Sequence, residues 1–273
     1  MSAYRPFDVR LARREVRSPS YLRITLSGND LRECGDVVLD QRVKLLLGGD
    51  LDAVLGQDEW FAALRALPAQ QQPSLRTFTL AAVRREVGEV DIDVVLHEPC
   101  EGPAASFAAT EPIGTRAGLV APVRGAEGAD EIGVAWRPGA AREVWVVADE
   151  TAVPAAANIA TALTPGHAAT LVLEVPRADD IRPLDAPSGT TVRWCARDRG
   201  ESALDHLPFP CGPVQAFTAE EALWDETSGE GRYLWVAGEM SWVATIRRSA
   251  RAAGIDRQGS SFMGYWRRGG TIS

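Results

Sequence analysis

The chain has 273 residues, room for two domains of ordinary size, and its 45% hydrophobic and 24% charged content is that of a globular protein. A formal charge of -8 argues against a nucleic-acid ligand, so an anionic ligand needs a local arginine pocket. The longest polar-poor stretch, 152–163, is too short to cross a bilayer, and Met1-Ser-Ala-Tyr-Arg-Pro6 lacks a secretory signal, so a soluble cytoplasmic protein without membrane insertion is expected.

The first 125 residues read as short strands: Tyr21–Leu26 alternates, Arg42–Leu47 is mostly apolar, and Val90–Leu96 alternates before an apolar end. That pattern predicts a small antiparallel β-barrel. Between the second and third of these runs, Leu51–Leu67 reads as an inserted loop. Trp60, Phe61, Leu64 and Leu67 give it a short helix that Pro68 stops. Arg76-Thr-Phe-Thr79 opens a further strand, and Arg84 falls on an expected loop. A Gly-rich, charged segment, Arg124–Gly133, then breaks the periodicity.

Beyond it the pattern changes to strand, helix, strand over Glu143–Val147, Pro154–Leu163 and Ala169–Val175, a βαβ unit that implies a parallel sheet. Thr151 is placed to cap the helix and Pro154 suits its first turn. Thr191–Cys195 and Tyr233–Ala237 supply more strands, and Trp242–Ala253 a helix closed by Gly254. The expected fold is therefore two-domain: an N-terminal antiparallel β-barrel over 1–125, a linker over 126–142, and a C-terminal α/β domain with a parallel sheet over 143–273.

Cysteines 34, 100, 195 and 211 form no C-x-x-C pair, and His97, His167 and His206 stand at no metal-ligand spacing from them, so neither a metal site nor a disulfide framework is expected. No supported acyl-transfer triad and no glycosidase carboxylate pair stands out. The hydrophobic run Tyr233–Met240 ends in Gly-Glu and feeds a helix, as a strand does whose tip opens onto a ligand crevice.

Four phrases carry more information: Arg76-Thr-Phe-Thr79, Asp93-Val-Val-Leu-His97 with Gly102-Pro-Ala-Ala-Ser-Phe-Ala108, Asp149-Glu-Thr-Ala-Val-Pro-Ala155, and Ala237-Gly-Glu239 with Gly264-Tyr-Trp-Arg267. Together they resemble the siderophore-interacting protein family of FAD-dependent, ferredoxin-reductase-like ferric-siderophore reductases, from about Asp40 to the C-terminus. Phe78, Phe107 and Ala148 stand where that family usually has tyrosine, tryptophan and glycine.

The resemblance implies an FAD-binding barrel and a nucleotide-binding-like domain. FAD contacts are expected from Arg76, Thr77, Phe78 and Thr79, then Asp93, Val95 and His97, and then Gly102, Pro103, Ala104, Ser106 and Phe107. In the second domain Asp149, Thr151, Ala152 and Tyr265 are expected to touch it. Arg76 would fork onto a phosphate, the Phe78 ring would pack on the isoalloxazine, and Thr79 would hydrogen-bond near its reactive nitrogen. The substrate, a ferric siderophore, would meet Trp266 and some of Arg247, Arg248 and Arg267. NAD(P)H or reduced ferredoxin would donate electrons. No G-x-G-x-x-G lies after the Glu143 strand, and the Asp149-Glu150 pair discourages a phosphate there. A flavin reductase for another acceptor and a non-catalytic siderophore carrier are the alternatives.

Overall fold

The computed structural model describes residues 3–96, 102–164, 166, 168–217, 223–229 and 231–269. The chain divides into two compact units, Met1–Val134 and Ala135–Ser273.

In the first unit, β1 (Tyr4–Ser18), β2 (Tyr21–Ser27), β3 (Arg42–Leu47), β4 (Ser74–Arg84), β5 (Glu89–Val95) and β6 (Arg116–Pro122) close into a barrel in the order β1-β2-β5-β4-β3-β6, every pairing antiparallel. Inward positions alternate along the strands, so Phe7, Val9, Leu11, Ile24, Val43, Leu45, Ile92 and Leu119 fill the interior. The insertion after β3 carries α1 (Trp60–Ala66). Its Leu51, Val54 and Leu64 cover the outward-facing Leu46 and Val120. A second short helix, α2 (Pro103–Ala109), has proline at its first position, where a missing N–H costs nothing.

The barrel is laced on its outer surface by ion pairs. Arg84 forks onto Asp91 at 2.6 and 2.7 Å and reaches Glu89 at 3.1 Å, and Arg23 forks onto Asp93 at 2.6 and 2.9 Å. Arg84 therefore ends β4 as part of a cross-strand network, where the sequence suggested a loop. Residues 126–142 are held at both ends by different units. Gln41 donates to the Ile132 carbonyl and the Arg42 N–H to Gly133, while the Tyr233 hydroxyl donates to the Ala135 carbonyl and accepts from the Arg137 N–H.

The second unit contains β7 (Glu143–Ala148), α3 (Val153–Ala162), β8 (Ala168–Val175), β9 (Thr191–Ala196), β10 (Trp224–Asp225), β11 (Arg232–Glu239), α4 (Met240–Ala252) and β12 (Ser260–Trp266). Its sheet runs β10-β12-β11-β7-β8-β9, parallel except for the short edge strand β10. The central strands read as unbroken apolar runs because both their faces are buried. The chain builds outward from β7 through β8 to β9, then returns to the other side of β7 for β11 and β12. That reversal puts the topological switch point between the carboxyl ends of β7 and β11, where open α/β sheets bind ligands. Helix α4 begins at Glu239, whose side chain accepts the Trp242 N–H at 3.0 Å, and ends at Gly254, which takes φ +80° and donates to Arg251.

Candidate functional site

The barrel's part of the site lies on β3, β4 and the start of α2. Register decides which face each residue of the Arg76–Thr79 segment shares. Arg76 and Phe78 stand opposite Leu45 and Val43, which face the core, while Thr77 and Thr79 stand opposite the outward Lys44 and Arg42. The Phe78 ring packs against the barrel core and stays half-exposed.

Arg76 donates one hydrogen bond, to the neighbouring Leu75 carbonyl at 2.8 Å, and has no acidic partner among the described residues. In a barrel whose Arg23, Arg84 and Arg116 all fork onto carboxylates, that leaves a guanidinium free for an anion. Thr79 is 6% exposed, and its hydroxyl makes no hydrogen bond among the described residues. Gly102 takes φ +100°, with open space where a side chain would stand, at the exposed start of α2 beside Pro103, Ala104 and Ser106. A cation with no acidic partner and a hydroxyl with no hydrogen-bond partner among the described residues, a half-exposed ring and a glycine turn with open space above it fit a flavin with its phosphates.

Four other expected contacts have the following surroundings. Phe107 is sunk in the barrel core at 4% exposure, where its ring serves packing. The Asp93 carboxylate is bound bidentately by Arg23, so it closes a cross-strand pair. Val95 ends β5 half-buried, and His97 lies outside the described residues.

Lys44 is the residue the sequence reading passed over. It is the chain's single lysine and sits on an apolar strand. Burial, and after it the nearby Arg42 charge, holds its pKa below the usual lysine value, and it has no hydrogen-bond or ion-pair partner among the described residues. The signal was visible: one lysine among many arginines, at an outward position of a strand that is valine and leucine from Val43 onward apart from it.

In the second unit the switch point is filled by the Asp149 side chain. Its Oδ1 accepts the Thr151 N–H at 2.9 Å and the Thr151 hydroxyl at 2.6 Å; its Oδ2 accepts the Glu239 N–H at 2.6 Å and the Trp266 indole N–H at 2.7 Å. One carboxyl group thus joins the tips of β7, β11 and β12. Thr151 does not cap α3. The cap position is Ala152, without a side-chain bond, and both Thr151 donors turn back to Asp149. Asp149 is 3% exposed, and burial, then the Glu150 charge, raises its pKa to about 7 against the four donated hydrogen bonds. Glu150 is held at 2.7 Å by Arg197, which also reaches Glu174 at 3.3 Å.

The Tyr265 ring stacks on Trp224, centroids 6.0 Å apart, and meets the Trp235 ring edge-on. Of the expected substrate arginines, Arg247 is paired with Asp225 at 3.1 Å, and the exposed Arg248 donates to the Thr245 hydroxyl. Both lie more than two helical turns, roughly 12–14 Å, along α4 from Glu239. Arg267 instead follows Trp266 at the strand tip, where it donates to the Phe217 carbonyl at 3.2 Å and has no acidic partner among the described residues. The structure therefore groups Trp266 and Arg267 with Asp149, and sets Arg247 and Arg248 apart.

A closed antiparallel barrel followed by an α/β unit with a mostly parallel sheet defines a two-domain fold like that of ferredoxin reductases. Residues 10–127 match the siderophore-interacting FAD-binding domain, and residues 141–269 match the siderophore-interacting protein family. The chain is 31% identical over 215 residues to an uncharacterized protein of Mycobacterium tuberculosis, covering 75% of this chain and 69% of that one. It is 25% identical over 267 residues to the ferric vibriobactin reductase ViuB of Vibrio cholerae, covering 94% and 88%. The crystal structure of a siderophore utilization protein from T. fusca matches with TM-score 0.75 and 25% identity, covering 100% of this chain and 97% of that one. The chain belongs to the siderophore-interacting protein family.

Proposed function

We propose that this chain is an FAD-dependent reductase that releases iron from ferric siderophores. The reading is carried by the Arg76 guanidinium, which has no acidic partner among the described residues and shares a face of β4 with the half-exposed Phe78 ring, in a chain that resembles a ferric vibriobactin reductase along nearly its whole length.

FAD, when bound, supplies the conversion of paired electrons into single ones that Fe(III) reduction needs. Arg76 holds the phosphate with a charge-assisted bond. Phe78 offers its ring as an apolar wall, and Thr79 places one hydroxyl where it tunes the reactive edge without acid–base chemistry. Gly102 lets a ligand approach the backbone closely at the start of α2. Arg267 and the Trp266 ring serve the ferric siderophore, because an acidic protein needs local cations to receive an anionic chelate. No protein ligand to iron is required: oxygen donors that hold Fe(III) tightly hold Fe(II) weakly, so one electron frees the metal.

The electrons come from NAD(P)H or from reduced ferredoxin. With the Asp149 carboxyl filling the switch point and Glu150 beside it, a dinucleotide phosphate is disfavoured at that spot, so NAD(P)H would have to bind in another manner. Among the described residues no helix is long and apolar enough to cross a membrane.

Titrating the purified protein with FAD tests the reading. Saturable binding with a perturbed flavin absorption band supports it, and a protein that stays colourless and refuses FAD is a carrier or a degenerate relative.

A further inference from the structure

We propose that Asp149 is a positioning residue for substrate capture: its carboxylate fixes the end of β12, and thereby orients Trp266 and Arg267 toward an anionic ferric chelate. This rests on the reading above and adds to it a determinant of substrate affinity that acts on the chelate through Trp266 and Arg267.

The geometry carries it. Trp266 is the last residue of β12, and its indole N–H ends on Asp149 Oδ2, the oxygen that also accepts the Glu239 N–H. Immediately beyond, the Arg268 N–H is received by Glu239 Oε1 at 3.3 Å, while Glu239 Oε2 caps α4. Two carboxylates from adjoining strand tips therefore clamp residues 266–268 from either side, with Arg267 between the clamped positions. The register between β11 and β12 slips where Gly238 is followed by Glu239, so that Glu239 faces Trp266 and not Tyr265. That slip brings the indole to Asp149. Nothing larger than glycine fits at 238, because an added Cβ would stand 2.5 Å from the Asp149 Cγ. The residue at 238 is thus fitted to the carboxyl group.

Both groups that reach Oδ2, the Glu239 N–H and the Trp266 indole N–H, can only donate, so that side of the arrangement is complete only when Oδ2 carries no proton. The charged groups around it are Glu150 on its own turn, paired with Arg197 from beyond β9, and Glu239 on β11, which is committed to α4 and to Arg268. α3 brings no charged side chain. Burial and Glu150 raise the Asp149 pKa, so loss of the proton falls in the neutral range and the clamp is set above it. A proton on Oδ2 would face the indole N–H with a donor and release it.

The test uses the full-length, FAD-loaded protein and the gallium(III) complex of a tris-catecholate, a trianionic and redox-inert probe whose binding does not depend on turnover. For the wild type, Kd should rise about five- to twentyfold between pH 8 and pH 6, because only part of the worth of the Trp266–Asp149 charge-assisted hydrogen bond is passed on to the chelate. Asp149→Asn should bind as weakly at pH 8 as the wild type does at pH 6, with no pH dependence in that range. The Trp266 indole resonance of tryptophan-labelled protein, assigned by its loss in Trp266→Phe, should titrate in the wild type and stay fixed in Asp149→Asn. Should Asp149→Asn not fold, Trp266→Phe removes the other half of the clamp and should raise Kd at pH 8 to the same degree. An indole resonance indifferent to pH, or a Kd unchanged in whichever variant folds, overturns the proposal. Failure of the wild type to reduce the matching iron complex, with these binding results intact, would count against the reductase reading and leave the clamp standing.

Discussion

A Cβ on Gly238 would stand 2.5 Å from Cγ and 2.7 Å from Oδ2 of Asp149, closer than real Cβ contacts come. The two residues are therefore fitted to each other across the tips of β11 and β7. Gly238→Ala must displace the carboxyl group that joins three strand tips, so it should destabilise the second unit by roughly 1–3 kcal/mol through overpacking, more if the hydrogen bonds are lost with it. Urea unfolding followed by tryptophan fluorescence checks this, and a variant as stable as the wild type would mean that Asp149 moves aside at no cost.

Arg76→Ala should weaken FAD about ten- to hundredfold, the worth of one charged hydrogen bond of roughly 1.5–3 kcal/mol. The control is Arg65→Ala, on the exposed side of α1 in the same unit. Equal FAD affinity in the two variants would remove Arg76 from the cofactor site.

Arg84 is not a neutral control, because its guanidinium forks onto Asp91, which is 5% exposed. Arg84→Ala leaves Asp91 with the Thr25 hydroxyl at 2.7 Å and Arg23 at 3.8 Å. Complete loss of a buried partner costs about 3–5 kcal/mol, and the partial exposure of Arg84 and the remaining partners reduce this to roughly 1–2 kcal/mol. Thermal unfolding should show a lower Tm with FAD affinity retained; loss of FAD at unchanged Tm would move Arg84 into the cofactor site.

The elements that position these groups were largely legible because their side chains obey one period. β3 and β7 read as apolar runs, and α4, expected over Trp242–Ala253 and closed by Gly254, runs over Met240–Ala252. β1 was not legible, because beyond Leu11 it carries Arg13, Arg14, Glu15 and Arg17, and the charge run hides a strand whose inner face is Phe7, Val9 and Leu11. Arg84 read as loop because its partners, Glu89 and Asp91, meet it only across the turn between β4 and β5. Thr151 has the side chain of a cap, but a carboxylate two residues earlier takes its donors, a competition that spacing alone does not reveal. Likewise, sequence grouped Arg247 and Arg248 with Arg267, and only the length of α4 separates them.

Asp149 should also leave a mark on global stability. Its folded pKa is raised above the unfolded value of 3.8, so folding favours the protonated side chain. The contribution is fully present below about pH 4 and lost as pH rises to about 7, a change of a few kcal/mol. The stability of the wild type relative to Asp149→Asn should therefore fall between pH 4.5 and 7 and level off above. Global stability and the ordering of Trp266 then move in opposite directions with pH. A wild-type advantage that grows with pH would mean that the four donors outweigh burial and the neighbouring Glu150.

The most direct test of the account is an anaerobic stopped-flow experiment in which protein carrying fully reduced FAD meets a ferric siderophore in the presence of an Fe(II)-trapping dye. The account predicts return of the oxidised flavin band together with about two Fe(II) per FAD, since each iron takes one electron. Flavin that stays reduced, or reoxidises without Fe(II) appearing, would contradict it.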